Sequence, residues 1–156
     1  AATAVRKAIE IDPRSHLAHY NLGEILQQKG QLGEAIAEYK KAVELDEDAE
    51  ALALLGQAYA RLGKRKEAEQ ILARLTEEAK TRYVSGYSMA LMYLGLGEKE
   101  HAIEALERAW NEGAGNDIYA IRVDPMLDEL RHEARFEALA EKIVPAGKFK
   151  AATATQ

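Results

Sequence analysis

The stretch His19-Tyr20-Asn21-Leu22-Gly23-Glu24-Ile25-Leu26-Gln27-Gln28-Lys29-Gly30 decides the fold, because it returns twice further along the chain. It comes back as LALLGQAYARLG at residues 52–63, and as GYSMALMYLGLG at residues 86–97. Gly23, Gly56 and Ala90 then share a column, spaced 33 and 34 residues apart. Leu26, Tyr59 and Tyr93 share a second, Gly30, Gly63 and Gly97 a third, and Ala35, Ala68 and Ala102 a fourth. Four columns in one register mark a repeat array.

Each unit reads as two helices. In the first, Leu17, Leu22, Ile25 and Leu26 make one apolar stripe, and Leu32, Ala35, Ile36, Tyr39, Ala42 and Val43 make another. Gly30 lies between them, where a left-handed residue ends a helix. The second unit repeats this with Leu52, Leu55, Tyr59 and Leu62, then Gly63, then Ala68, Ile71, Leu72 and Leu75. The third runs Met89, Met92, Tyr93 and Leu96, then Gly97, then Ala102, Ile103, Leu106 and Ala109. No stretch alternates like a strand, so the chain is read as all-α. Gly23 and Gly56 are expected to face Ala35 and Ala68, letting paired helices cross closely. A larger side chain there is expected to cost about 1–3 kcal/mol.

Outside the array the register changes. Residues 1–15, with AVRKAIEIDP, read as the second helix of an earlier unit, so the chain is expected to be a piece of a longer protein. The units then fall at 16–48, 49–82 and 83–116. NEGAGND reads as a loop, and Asp124-Pro125 as an N-cap and first helical residue. The 117–144 segment carries Leu127, Leu130, Phe136, Leu139 and Ile143 and reads as a cap over the last unit's apolar face. Residues 145–156, PAGKFKAATATQ, read as a flexible tail in which Phe149 is the one candidate for docking.

These motifs resemble the tetratricopeptide repeat: His19, Leu22-Gly23, Leu26, Ala35 and Tyr39 in one copy; Leu52, Leu55-Gly56, Tyr59, Ala68 and Leu72 in the next; Gly86, Met89-Ala90, Tyr93, Ala102 and Leu106 in the third. The resemblance implies an α-solenoid wound as a right-handed superhelix, with a C-terminal capping helix. Residues 83–110 with VDPMLDELRHEARFEAL are similar to the closing unit of tetratricopeptide tails on bacterial multidomain kinases, winged-helix regulators and nucleotide cyclases. That group has proline where Gly86 stands and Asp-Pro where Glu133-Ala134 stands. Losing the second proline is expected to let the cap run as one longer helix.

Composition narrows the function. The net charge of -5 provides no broad basic field for nucleic acid or anionic lipid. The basic run Lys64-Arg65-Lys66 is followed at once by Glu67 and Glu69 and reads as a solvated helix start. The chain has no cysteine, which removes disulfides, thiolate metal sites and a cysteine nucleophile. No apolar run approaches a membrane span, and no membrane partner is expected. Cytoplasm is the expected compartment.

Candidate chemical constellations fall away on context. His16 and His19 stand at i, i+3, but His19 shares the column of Leu52 and reads as a packed histidine. His101 and His132 are isolated. Gly56 to Gly63-Lys64 has the wrong glycine spacing for a phosphate loop, Arg65 replaces its Ser/Thr, and no strand precedes it. GAGND lacks the strand and third glycine of a dinucleotide site. Glu34, Glu38, Glu44 and Asp46 read as spread along a solvated helix. The chain is therefore read as non-catalytic, with no metal and no cofactor.

The resemblance also implies a working surface. First helices line the concave face, which in this family binds an extended peptide or a partner helix. Projected onto this chain, that face carries Leu17, Tyr20, Glu24 and Gln28; then Glu50, Ala53, Gln57 and Arg61; then Val84, Tyr87 and Leu91. Members that grip a C-terminal carboxylate use lysine, asparagine and arginine there. This chain has Tyr20, Glu24, Leu54, Glu50 or Val84, and Ser88 at those places, with only Asn21 and Arg61 suggestive, so no such clamp is expected. The partner expected is a protein or peptide. Three roles remain: recruitment of a partner, self-assembly as a homo-oligomer through the AATAVRKAIEI end, and a substrate-presenting arm of a transferase.

Overall fold

The computed structural model describes residues 2–113 and 117–145. The expected tail docking through Phe149, and the centre of the NEGAGND loop, lie outside the described residues. The described residues form an all-α solenoid: α1 (Ala2–Ile11), α2 (His16–Gln28), α3 (Leu32–Leu45), α4 (Ala49–Arg61), α5 (Arg65–Glu78), α6 (Gly86–Gly95) and α7 (Lys99–Asn111). Two 3₁₀ turns, Asp117–Ala120 and Pro125–Leu130, and α8 (Ala134–Ile143) close it.

Capping sets the helix starts. Ser15 Oγ accepts from Ala18 N, Asp48 from Glu50 N and Ala51 N, and Ser85 Oγ from Tyr87 N. The glycine column sets the stops. Gly30, Gly63 and Gly97 have φ of 75°, 81° and 79°, a conformation that side chains with a Cβ rarely adopt. In each turn the residue after the glycine donates its N–H to the carbonyl of the Leu26, Tyr59 or Tyr93 column, at 2.9 Å each time. The glycine's own N–H reaches the next carbonyl, of Gln27, Ala60 or Leu94. This is the paired closure that satisfies a helix's last acceptors, and it reverses the chain so that α2 packs on α3, α4 on α5 and α6 on α7.

One continuous apolar core follows, from Leu22 and Leu26 through Tyr39, Leu52, Leu75, Met92 and Leu106 to Leu127, Phe136 and Ile143. Between units, α3 meets α4 and α4 meets α6. The helix α1 packs on α2 through the partly buried Val5 and Ile9 and has no fully buried residue.

The close approach at the glycines differs from expectation. A Cβ on Gly23 would lie 2.5 Å from Tyr39 Cε1, so the ring of Tyr39 fills the space assigned above to Ala35. At Gly56 the nearest atoms belong to Met92, of the next unit, and to Ile71, 2.9 Å away, in place of Ala68. Small residues therefore admit large side chains here as well as neighbouring backbones.

The cap also departs from expectation, since it is broken rather than one longer helix. Asp124 caps a 3₁₀ turn beginning at Pro125, and Glu133, extended at ψ 119°, separates that turn from α8. Apolar register explains the break. Leu127 and Leu130 form one buried set; Phe136, Leu139, Ala140 and Ile143 form another. Leu130 and Phe136 are six positions apart, which is not a whole number of turns at 3.6 residues per turn. A continuous helix would turn one set away from the core. Arg131, just after the 3₁₀ turn, ties that turn back to the chain before it, donating to the carbonyls of Arg122 at 2.8 Å and Asp124 at 3.1 Å.

Candidate partner-binding face

The first helices stand side by side, and their facing side chains bond across the gap. Tyr20 of α2 donates to Glu50 of α4 at 2.9 Å. About two turns along, Gln27 Nε2 of α2 donates to Gln57 Oε1 of α4 at 2.6 Å. Gly95 of α6 lies against the backbone of Gln57, where a Cβ would approach its Cα to 2.8 Å. Tyr20, Glu24, Gln27, Gln57 and Arg61 thus form a polar row crossing α2 and α4.

Exposure along the inner face is graded. Leu17 is 56% exposed. Gln28 and Arg61 are also exposed, and Tyr20, Glu24 and Glu50 are half-buried. Toward the third unit the expected surface closes: Ala53 and Gln57 are fully buried, Leu91 is 1% exposed, and Val84 and Tyr87 are buried. The projection placed these residues on an open face. Part of the reason is the chain's own stretch after α7, which lies against that end of the face.

Three side-chain contacts mark this stretch. Tyr87 donates its hydroxyl to the carboxylate of Asp124. Gln27 Nε2 approaches Met126 Sδ at 3.8 Å. Arg61 Nη2 donates to Glu129 Oε1 at 3.1 Å. Gln27, Gln28, Arg61, Pro125 and Met126 line a shared cleft. Gln27, Asp124, Met126 and Glu129 were absent from the sequence-based set. Gln27 was within reach, standing three positions after Glu24 on the same helix stripe; the other three belong to a segment with no counterpart in the repeats.

Burial leaves unmet hydrogen bonds in this region. Gln27 Oε1, Gln57 Nε2 and the Tyr39 hydroxyl have no partner among the described residues. Such atoms are destabilising inside a protein unless something supplies the missing bond.

The electrostatics are uneven. Burial, and then the charges of Glu50 and Asp124, raise the Glu24 carboxyl above its ordinary range, opposed by a bond from Tyr20. Burial also pushes the Tyr20 hydroxyl far up, reinforced by Glu24 and Glu50. Tyr87 is raised by burial and by its bond to Asp124. Both tyrosines are therefore neutral donors near pH 7. Three carboxylates from α2, α4 and the start of the second 3₁₀ turn converge here, while Arg61 supplies positive charge at the far end of α4.

The histidines and acids discounted as sites have specific places. His19 is buried as expected; its Nδ1 lies 2.6 Å from Glu38 Oε2 and its Nε2 3.1 Å from the Pro13 carbonyl. Glu38, assigned above to a solvated row, is held at that contact. No helix of the described residues is long and apolar enough to cross a membrane.

Comparison with known proteins follows the same lines. Residues 23–63 match a family model described as TPR repeat. Residues 4–37 match a tetratricopeptide repeat model, and residues 49–81 and 87–109 match another. A search of curated proteins returns no match. Among solved structures, the crystal structure of MamA aligns with 96% of this chain and 88% of that one, at 24% identity and a TM-score of 0.50. That likeness concerns the fold.

Proposed function

Because this chain belongs to the tetratricopeptide-repeat family, whose repeats mediate protein–protein interactions, we propose that it is a non-catalytic module that binds a peptide or partner helix along the inner face of α2, α4 and α6. The observation that carries this reading is that the face already holds a short non-repeat stretch of chain through side chains of all three first helices, Gln27, Arg61 and Tyr87. The open half, with Leu17, Tyr20, Glu24 and Gln28, offers an external ligand an apolar side chain and hydrogen-bonding groups, and Arg61, paired with Glu129, supplies a cation at its edge. Tyrosine and arginine are favoured interface anchors. The finer role is recruitment of a partner protein.

Panning a displayed random-peptide library on the wild-type chain, then measuring affinities by calorimetry, tests the reading. Selected peptides are expected to bind Tyr20→Ala/Arg61→Glu at least tenfold more weakly. Peptides indifferent to that pair of substitutions, or no selected peptide at all, would overturn it.

A further inference from the structure

The stretch against the inner face has a readable chemistry. It presents an acceptor at Asp124, a fixed turn at Pro125, an apolar sulfur at Met126 and a second carboxylate at Glu129, five positions after the first. The matching groups on the repeats are a neutral hydroxyl donor at Tyr87, an amide at Gln27 and a guanidinium at Arg61. Donor meets acceptor, amide meets soft sulfur, and cation meets anion.

The fit is imperfect in two places. The Asp124 carboxylate stands near those of Glu24 and Glu50, and like charges in a half-buried site repel. The amide atoms Gln27 Oε1 and Gln57 Nε2, on side chains 5% and 0% exposed, stay without partners although Met126 lies directly against Gln27. A thioether cannot donate to the first, and its weak acceptor sulfur faces Gln27 Nε2 rather than the second. A ligand with an uncharged acceptor at the first position, and a backbone or side-chain amide over the glutamine pair, would meet both demands.

We propose that the inner face recognises an external peptide of the pattern Asn or Asp, Pro, two apolar positions, one free position, then Glu or Asp, and that residues 124–129, with Leu127 buried at the second apolar position, are the chain's own weaker version of that ligand, which the external peptide displaces. The proposal rests on the inner face being the binding surface and adds the identity of what binds. Asparagine is preferred at the first position, because its side-chain oxygen accepts from Tyr87 without opposing Glu24 and Glu50. The acid at the last position is required by Arg61.

The test uses the full chain and two weakened-tail variants, Glu129→Ala and Asp124→Ala/Glu129→Ala, each panned with the same library. Glu129→Ala alters only an exposed residue, so it remains informative if the double variant folds poorly. The expected ligands carry the acid at the last position and bind both variants at least tenfold more tightly than wild type. A synthetic peptide with the sequence of residues 121–131, IRVDPMLDELR, is expected to bind Glu129→Ala, and its Asn-for-Asp analogue to bind at least threefold more tightly. In an Arg61→Glu background the preferred last residue is expected to change from acidic to basic. Trp110, the single tryptophan, lies 6.3 Å from the Tyr119 ring between ring centroids, so displacement of the tail is expected to change its fluorescence.

Ligands without the acid, equal affinity for wild type and both variants, or binding that leaves Trp110 unchanged would overturn the proposal. If the wild-type chain still selects peptides sensitive to Tyr20→Ala/Arg61→Glu, the binding surface stands and only this ligand assignment falls. Preferential binding of a second copy of the chain over free peptide, seen as concentration-dependent mass in light scattering, would also overturn it in favour of tail exchange between copies.

Discussion

The hydroxyl of Tyr87 reaches the carboxylate of Asp124, 37 positions later, and ties the third unit's first helix to the stretch that follows the repeats. Asp124 also caps the second 3₁₀ turn, accepting from Met126 N at 2.8 Å. Removing the hydroxyl in Tyr87→Phe leaves the cap but deletes a bond to a charged group, an expected loss of about 1.5–3 kcal/mol. Asp124→Asn keeps both acceptors while removing the charge beside Glu24 and Glu50, and is expected to be no less stable than wild type. Urea denaturation of both variants at pH 7 checks the pair. Equal destabilisation would show that charge, rather than the hydroxyl's bond, matters there.

Two glycine-to-alanine changes are expected to have opposite signs. Gly23→Ala drives a methyl group into the fully buried ring of Tyr39, an overpacking cost of about 1–3 kcal/mol. Gly33 is the second residue of α3, with nothing within 4 Å of its added Cβ and no positive φ. Alanine there is expected to stabilise by about 0.5 kcal/mol or less, below the value of a helix interior. Thermal melts of the two single variants separate close packing from helix propensity.

The pH dependence of the inner face follows from Glu24. Its carboxyl is faced by Tyr20 on α2, Tyr39 on α3, Glu50 on α4 and Asp124 ahead of the second 3₁₀ turn, with Arg61 influencing Tyr39 from the end of α4. Burial first, then Glu50 and Asp124, raise its folded-state value above the ordinary 4.5. The folded state thus holds a proton that the unfolded chain releases sooner. Glu24's contribution is fully present below pH 4.5 and is lost as pH rises through the raised folded value. Glu24→Gln is therefore expected to gain on wild type between pH 4 and pH 7. Parallel denaturation curves at the two pH values would contradict this.

The glutamine pair gives a double-mutant test. Gln27→Leu or Gln57→Leu alone strands the surviving amide in a buried site and is expected to cost about 1–3 kcal/mol. Replacing both removes the polar groups together and is expected to be close to neutral. Peptide binding is expected to fall in all three, since the amides are the groups offered to a ligand.

Local chemistry explains what the amino-acid pattern foretold. Gly30, Gly63 and Gly97 close their turns with bonds inside a few residues, so the column alone announces the helix ends. Leu26, Tyr59 and Tyr93 lend their carbonyls to the same turns, which is why those two columns keep one register. Tyr20, Gln57 and Arg61 are placed on one face by the resemblance, carried through the repeat columns. What covers that face could not. Asp124, Met126 and Glu129 sit outside any period, and their apolar neighbours Leu127, Leu130 and Phe136 fit a helix until their six-position offset is set against a fixed core. Gly23 shows the same limit: its column shows that space is needed, while the nearest occupant, Tyr39, comes from tertiary packing.

Tyr20 and Glu50 pair across 30 positions, as do Gln27 and Gln57, whereas Gln27 and Met126 meet across 99. Loop-closure entropy grows only with the logarithm of length, so joining the first unit to the tail costs about 1 kcal/mol more than joining neighbouring units. The array's short-range contacts place it among rapidly forming topologies, with the long closure coming after them. Folding is thus expected to reach a nearly complete solenoid before its inner face is covered, so that the last closure decides whether that face is open.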